Sequence, residues 1–531
     1  MFGKKKLKVW RFCSILVVFV FVIGLLAINP KMNFAATKPT ITYFVQMDSK
    51  VAVSYDNFSK IAAYQLLMKK LNVNIQFIHP PMGGTAAQDQ LNLMIASKKL
   101  PDIIYWNWID SYPGGPMKAL QDKVIIRLNE YVDKYAPNFK SYLSKHPDVK
   151  KMIVTDTGDL YCFPYLREDP EIQGTFYGPI VRKDWLSKLK INPPETVDEW
   201  YKMLKAFKNN DLNGNGKNDE RPFSISLGGA TSPRRAFDYC SFLVGAWGIK
   251  TDFFVENNKI QYGPLKPQYS DFIKTLQKWW KEGLIDPDVL TMNRDIIRAN
   301  IQNDLIGSFL GLIGGDLAFF VNLKKDLMGV KYPVLKKGQK PEFGHREPQF
   351  AKSGAAITTS CKNIPLAIKV LDWGWSKEGF MALNFGVLGK SYVIKDGRPV
   401  YTDEVMNNPQ LDRPSALAKY ACASFGGPFI QAKENALQIG LGLPQQKEAS
   451  ENWRYASNTK LLPILSFTSD EAKKLADIMN VVNTYYDEMF VRLMTGKIND
   501  VEQLRKGLKR MRIDEAIKIY QQAYNRYINR K

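Results

Sequence analysis

The sequence predicts an α/β protein with two lobes, each a mostly parallel sheet flanked by helices, and a ligand cleft between them. Strand-like and helix-like segments alternate along the chain, which is typical of parallel sheets. The 531 residues are too many for one hydrophobic core. No low-complexity linker separates two halves, so we expect the lobes to exchange chain segments.

The first α/β block is expected between residues 40 and 105. Strands are predicted at 40–45, 73–78 and 101–105, and helices at 57–70 and 88–96, where apolar residues recur at helical spacing. This βαβαβ order implies three strands of a parallel sheet.

A second α/β block begins with a strand at 178–182. Helices are predicted at 184–189, 197–208 and 269–283. From Ser469 onward the chain is helical and highly charged, with Ser469 as the expected N-cap.

The expected division of the chain follows from these blocks. Residues 1–36 form a signal peptide or an uncleaved anchor, 37–165 and 300–350 the first lobe, and 166–299 and 351–531 the second lobe with a helical C-terminal extension.

The N-terminus has the layout of a secretory signal. Basic residues precede an apolar run at 12–28, and small residues that a signal peptidase could cut follow at Ala35 and Ala36. An uncleaved anchor is the alternative, and either way the remainder is extracellular. Cys13 stands at the start of the apolar run rather than after it, so lipidation is not supported and association with the cell surface needs another means.

The charge and the cysteines exclude some classes of protein. The formal net charge is +22, but basic residues alternate with acidic ones, which argues against nucleic acid and favours general attraction to an anionic cell wall. Cys162, Cys240, Cys361 and Cys422 are too few and too scattered for a disulfide framework. Buried thiols are expected, and one bridge stays open.

The sharpest motif predicts a structural Ca²⁺ site. Oxygen-bearing side chains occupy positions 1, 3, 5 and 9 of a loop that starts at Asp211, and Gly216 occupies position 6. The acid at position 10 and Pro222 beyond it do not fit an EF-hand sensor. A polar Asn-Gly turn without metal is the alternative. The predicted ligands are Asp211, Asn213, Asn215, Lys217 through its carbonyl, Asp219 and Glu220.

Motifs of enzymes are mostly absent. The three histidines, His79, His146 and His345, form no metal-binding pair, and the sequence contains no GxSxG nucleophile elbow. A pair of carboxylates for glycoside hydrolysis stays open, because the fold rather than the spacing would place it.

Aromatic residues near the third strand point to carbohydrate. Trp106, Asn107 and Trp108 follow that strand at the carboxyl end of a parallel sheet, where ligands usually bind. Indole rings stack on sugar faces and amides bond hydroxyls, although core packing is the alternative for each Trp. Arg167 could pair with a uronate carboxylate or be solvated. The expected ligand contacts are Trp106, Asn107, Trp108, Tyr165, Arg167, Trp247, Trp375 and Tyr392.

Several stretches resemble one family over nearly the whole chain. They are Pro-Asp-Ile-Ile at 101–104, Val-Arg-Lys-Asp-Trp-Leu at 181–186, the end of the Asp211 loop at 219–222, and the segments 282–288, 389–392, 396–399 and 485–489. The chain resembles extracellular solute-binding proteins, family 1, including the alginate-oligosaccharide-binding proteins.

The resemblance implies a two-lobed periplasmic-binding-protein fold that closes on an oligosaccharide without catalysis. It further implies a monomer that delivers the sugar to the permease of an ABC importer, and a comparable loop that holds calcium. Many relatives are lipoproteins, and this chain lacks the cysteine that lipidation needs. A secreted polysaccharide lyase or hydrolase, and a wall-associated sensor or adhesin, are the alternative functions.

Overall fold

The computed structural model describes residues 38–225, 232–291 and 293–530, so the expected signal segment and Cys13 lie outside the described residues. Within those ranges, no helix is long and apolar enough to cross a membrane. The four described cysteines are free and buried, as expected.

The strands of the described residues are numbered in chain order. They are β1 Thr40–Phe44, β2 Asn74–Ile78, β3 Ile103–Asn107, β4 Phe163–Arg167, β5 Tyr177–Arg182, β6 Arg221–Ile225, β7 Phe253–Glu256, β8 Lys259–Tyr262, β9 Ile306–Leu312, β10 Leu327–Gly329, β11 Phe350–Ile357, β12 Tyr392–Lys395, β13 Arg398–Tyr401 and β14 Ile430–Gln431.

The helices are numbered in the same way. They are α1 Ser49–Ala52, α2 Ala62–Leu71, α3 Ala86–Ser97, α4 Gly115–Gln121, α5 Asn129–Tyr135, α6 Pro137–Lys145, α7 Pro147–Ile153, α8 Pro170–Gln173, α9 Lys183–Leu189, α10 Val197–Lys208, α11 Pro233–Cys240, α12 Tyr269–Lys281, α13 Arg294–Gln302, α14 Ala318–Asn322, α15 Ile364–Trp373, α16 Lys377–Phe385, α17 Asp403–Met406, α18 Arg413–Ala418, α19 Lys433–Asn435, α20 Pro444–Arg454, α21 Ser469–Met494, α22 Val501–Arg510 and α23 Ile513–Ile528.

The first lobe is built on a six-stranded sheet in the order β14-β4-β11-β3-β1-β2. Strand β1 runs parallel to both β2 and β3, which confirms the βαβαβ prediction. Strand β11 runs antiparallel to β3 and β4. The third strand ends at Asn107, two residues later than predicted, because its residues continue to pair with β11.

The second lobe is built on a four-stranded sheet in the order β10-β5-β9-β6. Strands β6 and β9 are parallel, whereas β5 runs against β9 and β10. Each lobe has its own large hydrophobic core. The two-lobed α/β prediction is confirmed, with sheets that are mixed.

The exchange of segments between the lobes differs from the expected one. Strands β9 and β10, which lie within 300–350, pair in the second sheet, and β11, which begins at Phe350, pairs in the first. The chain thus enters the second lobe after β4, returns at β11 and leaves again after β14. The residues of an apolar strand such as β9 do not indicate which sheet the strand joins, so its lobe could not be predicted from the sequence.

The C-terminal helices pack on the second lobe. Leu475, Val482 and Phe490 of α21 and Leu504 of α22 are part of its core. The N-cap of α21 is Thr468 rather than the predicted Ser469. Its hydroxyl accepts a bond from the Glu471 amide, and the Glu471 carboxylate accepts one from the Thr468 amide, which is a capping box.

The last helix also binds the first lobe. Asp156 follows α7 in the first lobe and accepts hydrogen bonds from Arg526 Nε at 2.5 Å and Arg530 Nε at 2.9 Å. The side chains of Asp156 and Arg530 are only 6% and 4% exposed. Arg526 also donates to Glu471 at 2.8 Å. This charged cluster ties the end of the chain to both lobes.

Replacing Asp156 tests that tie. Asp156→Ala leaves the buried Arg530 without its carboxylate, so we expect the free energy of unfolding to fall by about 3 kcal/mol in urea denaturation. The matched control is Asp133→Ala, whose carboxylate pairs with Lys140 on the surface of the same lobe. The control should change stability by less than about 0.5 kcal/mol, and equal effects of the two substitutions would contradict the tie.

Candidate functional site

A cavity of about 550 Å³ lies at the carboxyl ends of β1 and β3 in the first lobe. We call it the first cavity. Because β1 and β3 are parallel neighbours, the residues that follow them meet at the same edge of the sheet. It is lined by Tyr43, Val45, Gln46, Met47, Asp48, Ser49, Phe58, Tyr64, Met82, Tyr105, Trp106, Asn107, Ser111, Ser353, Phe425, Gly426 and Gly427.

The inner wall of the first cavity is aromatic. Trp106 is 9% exposed, and its Nε1 has no hydrogen-bond partner among the described residues. The hydroxyl of the buried Tyr43 also lacks a partner within that part of the chain. Burial raises the pKa of Tyr105 well above its usual value, so its phenol is neutral. The wall therefore offers neutral ring surfaces.

The rim of the first cavity is polar and held in place. The Asn107 side-chain oxygen accepts a bond from the Asp110 amide at 2.9 Å, and its Nδ2 donates to the Asp110 carboxylate at 3.2 Å. Asp48 caps α1 by accepting from the Lys50 amide at 2.9 Å. These contacts orient the amide and the carboxylate before any ligand arrives.

Two further cavities lie between the first lobe and the second. One, of about 730 Å³, is lined by Lys50 and Arg413 of the first lobe and by Arg298 and Phe319 of the second. The other, of about 200 Å³, lies at the segments that join the lobes. These two cavities share Lys50, Pro414, Ile439 and Gly440, so they form one groove between the lobes. The groove lies beside the first cavity, because Lys50 Nζ is 3.3 Å from Asp48 of its lining.

The three segments that cross between the lobes are hydrogen-bonded to one another. The Glu347 amide donates to the Gly174 carbonyl at 2.9 Å, and Gln173 Nε2 donates to the Gln431 carbonyl at 2.9 Å. Arg167 Nη1 donates to the Pro348 carbonyl at 2.6 Å. The crossovers thus form one narrow bundle at the base of the groove, the position of a hinge.

The structure places only part of the expected ligand set in the first cavity. Trp106 and Asn107 line it. Trp108 does not, because it is fully buried and its Nε1 donates to the Gly354 carbonyl at 3.0 Å. Trp108 lies in the turn that follows β3, as expected, but its side chain packs in the core and does not reach the cavity.

Tyr165 and Arg167 of β4 lie next to the groove without lining the first cavity. The Tyr165 ring is 5.9 Å from that of Phe429 and lies behind Gly426, a lining residue. Arg167 belongs to the crossover bundle.

The remaining three aromatic residues of the expected set belong to the hydrophobic cores. Trp247 packs 5.9 Å from Phe272 in the second lobe, and Trp375 lies 4.4 Å from Phe139 in the first. Tyr392 is 7% exposed and belongs to a small separate cluster. Aromatic character alone does not distinguish a residue that packs in a core from one that binds a ligand.

Sequence reasoning missed the residues that follow β1. Gln46, Met47, Asp48 and Ser49 line the first cavity because β1 ends at the same edge as β3. Trp106 was expected to bind ligand because it follows a parallel strand at its carboxyl end, and the same reasoning applies to these residues after β1. Ser353 and Phe425 come from distant parts of the chain, and only the sheet order brings them here.

The predicted calcium loop joins α10 to β6. Asp211 Oδ1 accepts from the Gly214 amide at 2.7 Å and Oδ2 from the Gly216 amide at 2.8 Å. Gly214 and Gly216 both have a φ of 76°, which favours glycine. Lys217 donates its amide to the Asn215 side-chain oxygen at 2.8 Å. The backbone is therefore wound around the oxygens of the loop.

The acidic groups of the loop fit a hard cation in their chemistry. Glu220 is 7% exposed; its Oε1 accepts from the Leu212 amide at 2.7 Å, whereas its buried Oε2 has no partner among the described residues. The amides of Asn213 and Asn215 donate to Asp219 and lower its pKa. The described ranges contain no set of three His, Cys, Asp or Glu placed as for a metal, and the predicted ligand set of this loop includes two Asn side chains and a backbone carbonyl besides its three acids.

Comparison with known proteins decides the family. A family model described as bacterial extracellular solute-binding protein matches residues 54–379, more than half of the chain. The chain belongs to this family. The binding protein is also 26% identical over 473 residues to the fructooligosaccharide ABC transporter substrate-binding protein FusA of Streptococcus pneumoniae, which covers 83% of this chain and 82% of FusA.

Solved structures confirm the two-lobed fold of the binding protein. The crystal structure of the alginate-binding protein AlgQ2 without calcium ion matches 93% of this chain and 99% of AlgQ2, at 25% identity and a TM-score of 0.70. A structure of a FusA EF-hand mutant with fructo-nystose matches 93% of this chain and all of that one, at 22% identity and a TM-score of 0.72. The predicted family and fold are confirmed.

Two tryptophan substitutions test the packing assigned to Trp108. Trp108→Phe leaves the buried Gly354 carbonyl without its donor, so we expect a loss of about 1–3 kcal/mol in the free energy of unfolding. Trp375→Phe is the matched control, because its Nε1 has no partner among the described residues. Trp375→Phe should lower the free energy of unfolding by less than Trp108→Phe does. A larger loss for Trp375→Phe would contradict the role of the Trp108 hydrogen bond.

Proposed function

We propose that this protein is the substrate-binding component of an ABC importer, which captures an oligosaccharide between its lobes and passes it unaltered to the permease. The observation that carries the proposal is the first cavity, with its aromatic wall and polar rim, beside a groove lined by both lobes.

The chemistry of the first cavity suits a sugar. The CH-rich face of a sugar ring packs on aromatic rings such as Trp106, Tyr105 and Phe425, and its hydroxyls exchange hydrogen bonds with amides and carboxylates such as Asn107 and Asp48. A ligand that touches both lobes favours the closed arrangement over the open one, because only closure completes its contacts.

The relatives support the same function. FusA is named as an ABC transporter substrate-binding protein for fructooligosaccharides, and AlgQ2 as an alginate-binding protein. Export fits this role: residues 1–36 would direct the chain out of the cell as a signal peptide or hold it there as an anchor. In this proposal the protein is a monomer at the cell surface and its partners are the sugar and the permease, not nucleic acid.

We propose further that the loop at 211–220 binds structural Ca²⁺. The ligands would be the carboxylates of Asp211, Asp219 and Glu220, the side-chain oxygens of Asn213 and Asn215, and the carbonyl of Lys217. The unpartnered Glu220 Oε2 supports this, since a buried carboxylate oxygen ordinarily has a partner. The similar structures support the same assignment, since one is AlgQ2 without calcium ion and another is an EF-hand mutant of FusA.

Ligand binding tests the transport proposal. In titration calorimetry against a panel of oligosaccharides, we expect at least one to bind and to be recovered unchanged. Trp106→Ala removes a ring from the cavity wall and should weaken that binding at least tenfold. Trp108→Phe, which changes only the core, should leave the affinity within about threefold. Turnover of the sugar would favour the alternative of a secreted lyase or hydrolase.

Thermal melting with and without calcium tests the loop. Chelation should lower the melting temperature of the wild type, because a ligand of the folded state alone stabilises that state. Glu220→Gln keeps the oxygen that accepts from Leu212 but loses the free carboxylate charge, so the calcium effect should shrink or vanish.

The control is Asp198→Asn on the neighbouring helix α10, where the exposed carboxylate pairs with Lys202 and with no other described residue. It should keep the full calcium effect. A wild type whose melting temperature does not respond to chelation would show that the loop is a polar turn without metal.

A further inference from the structure

We infer that the sugar ring bound in the first cavity is uncharged, so that the protein accepts neutral oligosaccharides and rejects those with a carboxylate on every ring. This inference deepens the proposed function and rests on it. It concerns the chemical class of the substrate.

The lining of the first cavity contains no positively charged side chain that could pair with a carboxylate. Its residues include one acid, Asp48, and no Lys, Arg or His. Proteins hold a carboxylate with the guanidinium of Arg or the ammonium of Lys, because removing the charge from water is costly otherwise. A uronate ring placed here would find no cation in the lining and would face the charge of Asp48.

The basic groups nearest to the first cavity are already engaged. Lys50 Nζ lies 3.3 Å from Asp48, and Lys352 Nζ lies 3.1 Å from Asp110. His79 accepts a bond from the Phe58 amide at 3.2 Å through Nε2, and Nδ1 lies 2.8 Å from the Val45 carbonyl. Burial lowers the pKa of His79, so the ring is neutral near pH 7.

The cations farther along the groove also serve the protein itself. Arg298 Nε lies 3.3 Å from the Asp316 carboxylate, and Arg413 Nε donates to the Met406 carbonyl at 3.1 Å. Arg167, the residue expected from sequence to meet a uronate, donates to the Pro348 carbonyl in the crossover bundle. None of these three guanidinium groups lines the first cavity, so none lies beside a ring bound there.

The same lining suits a neutral sugar. The side chains of Gln46, Ser111 and Ser353 form no hydrogen bond with another described residue, so their donors and acceptors are available to hydroxyls. The Asp48 carboxylate accepts from a hydroxyl without needing a cation in the ligand. The polar groups of the rim can thus bond hydroxyls, and none of them carries the positive charge that would balance a carboxylate.

Calorimetry with two sets of trisaccharides tests the inference. The neutral set is kestose, xylotriose, maltotriose, β-1,4-mannotriose and α-1,4-galactotriose. The acidic set is galacturonotriose, mannuronotriose and guluronotriose; galacturonotriose and galactotriose share linkage and stereochemistry and differ by the carboxylates. We expect every ligand that binds to be neutral, with at least one neutral sugar a hundredfold tighter than any acidic one.

The outcomes separate the two proposals. An acidic trimer that binds within tenfold of the best neutral one overturns the inference and leaves the importer function standing. If no member of either set binds, the proposed function fails and the inference falls with it.

A variant of Asp48 tests whether the sugar ring binds in the first cavity. Asp48→Asn keeps a side-chain oxygen to cap α1 but removes the charged acceptor, so the affinity for the best neutral sugar should fall about tenfold. Asp133→Asn, remote from the groove, should leave it unchanged. An unchanged affinity in Asp48→Asn would contradict binding of the ring in the first cavity.

Discussion

The structure depends on the bundle of three chain segments that crosses between the two sheets. Hydrogen bonds among Gly174, Glu347, Gln173 and Gln431 hold the crossovers side by side, so the backbone passes between the lobes in one narrow bundle at the base of the groove. A narrow bundle of this kind lets two rigid cores move relative to each other about a few backbone positions. Everything proposed for the function requires that freedom.

The C-terminal helices and the loop at 211–220 act on the lobes in different ways. The last helix reaches from the core of the second lobe to Asp156 in the first, so it adds a second tie between the lobes besides the crossovers. The loop lies wholly within the second lobe, between α10 and β6, and is separate from the crossover bundle. A bound cation there would stabilise one lobe without affecting how the lobes move.

The sequence predicted the elements better than their assembly. Local periodicity located β1, β2 and the helix at Val197–Lys208 to within a residue, because the pattern of apolar residues is a local property. The assignment of β9 and β11 to the wrong lobes has the opposite cause: pairing between distant strands leaves no trace in either strand alone. For the site, the rule that ligands bind at the carboxyl ends of parallel strands found Trp106 and Asn107. It could not show that the side chains of Trp108 and Trp375 pack in a core.

The most direct test of the central claim is the distance between the lobes with and without sugar. Spin labels at Val53→Cys in the first lobe and Leu323→Cys in the second would report it by pulsed electron resonance, since both positions are exposed. The four thiols among the described residues are buried, and burial raises the pKa of Cys240 and Cys422 to about 12, so with Cys13 replaced by Ser labelling should favour the new sites. We predict that a saturating oligosaccharide that binds in calorimetry shortens this distance; an unchanged distance with the sugar bound would contradict closure of the lobes around the ligand.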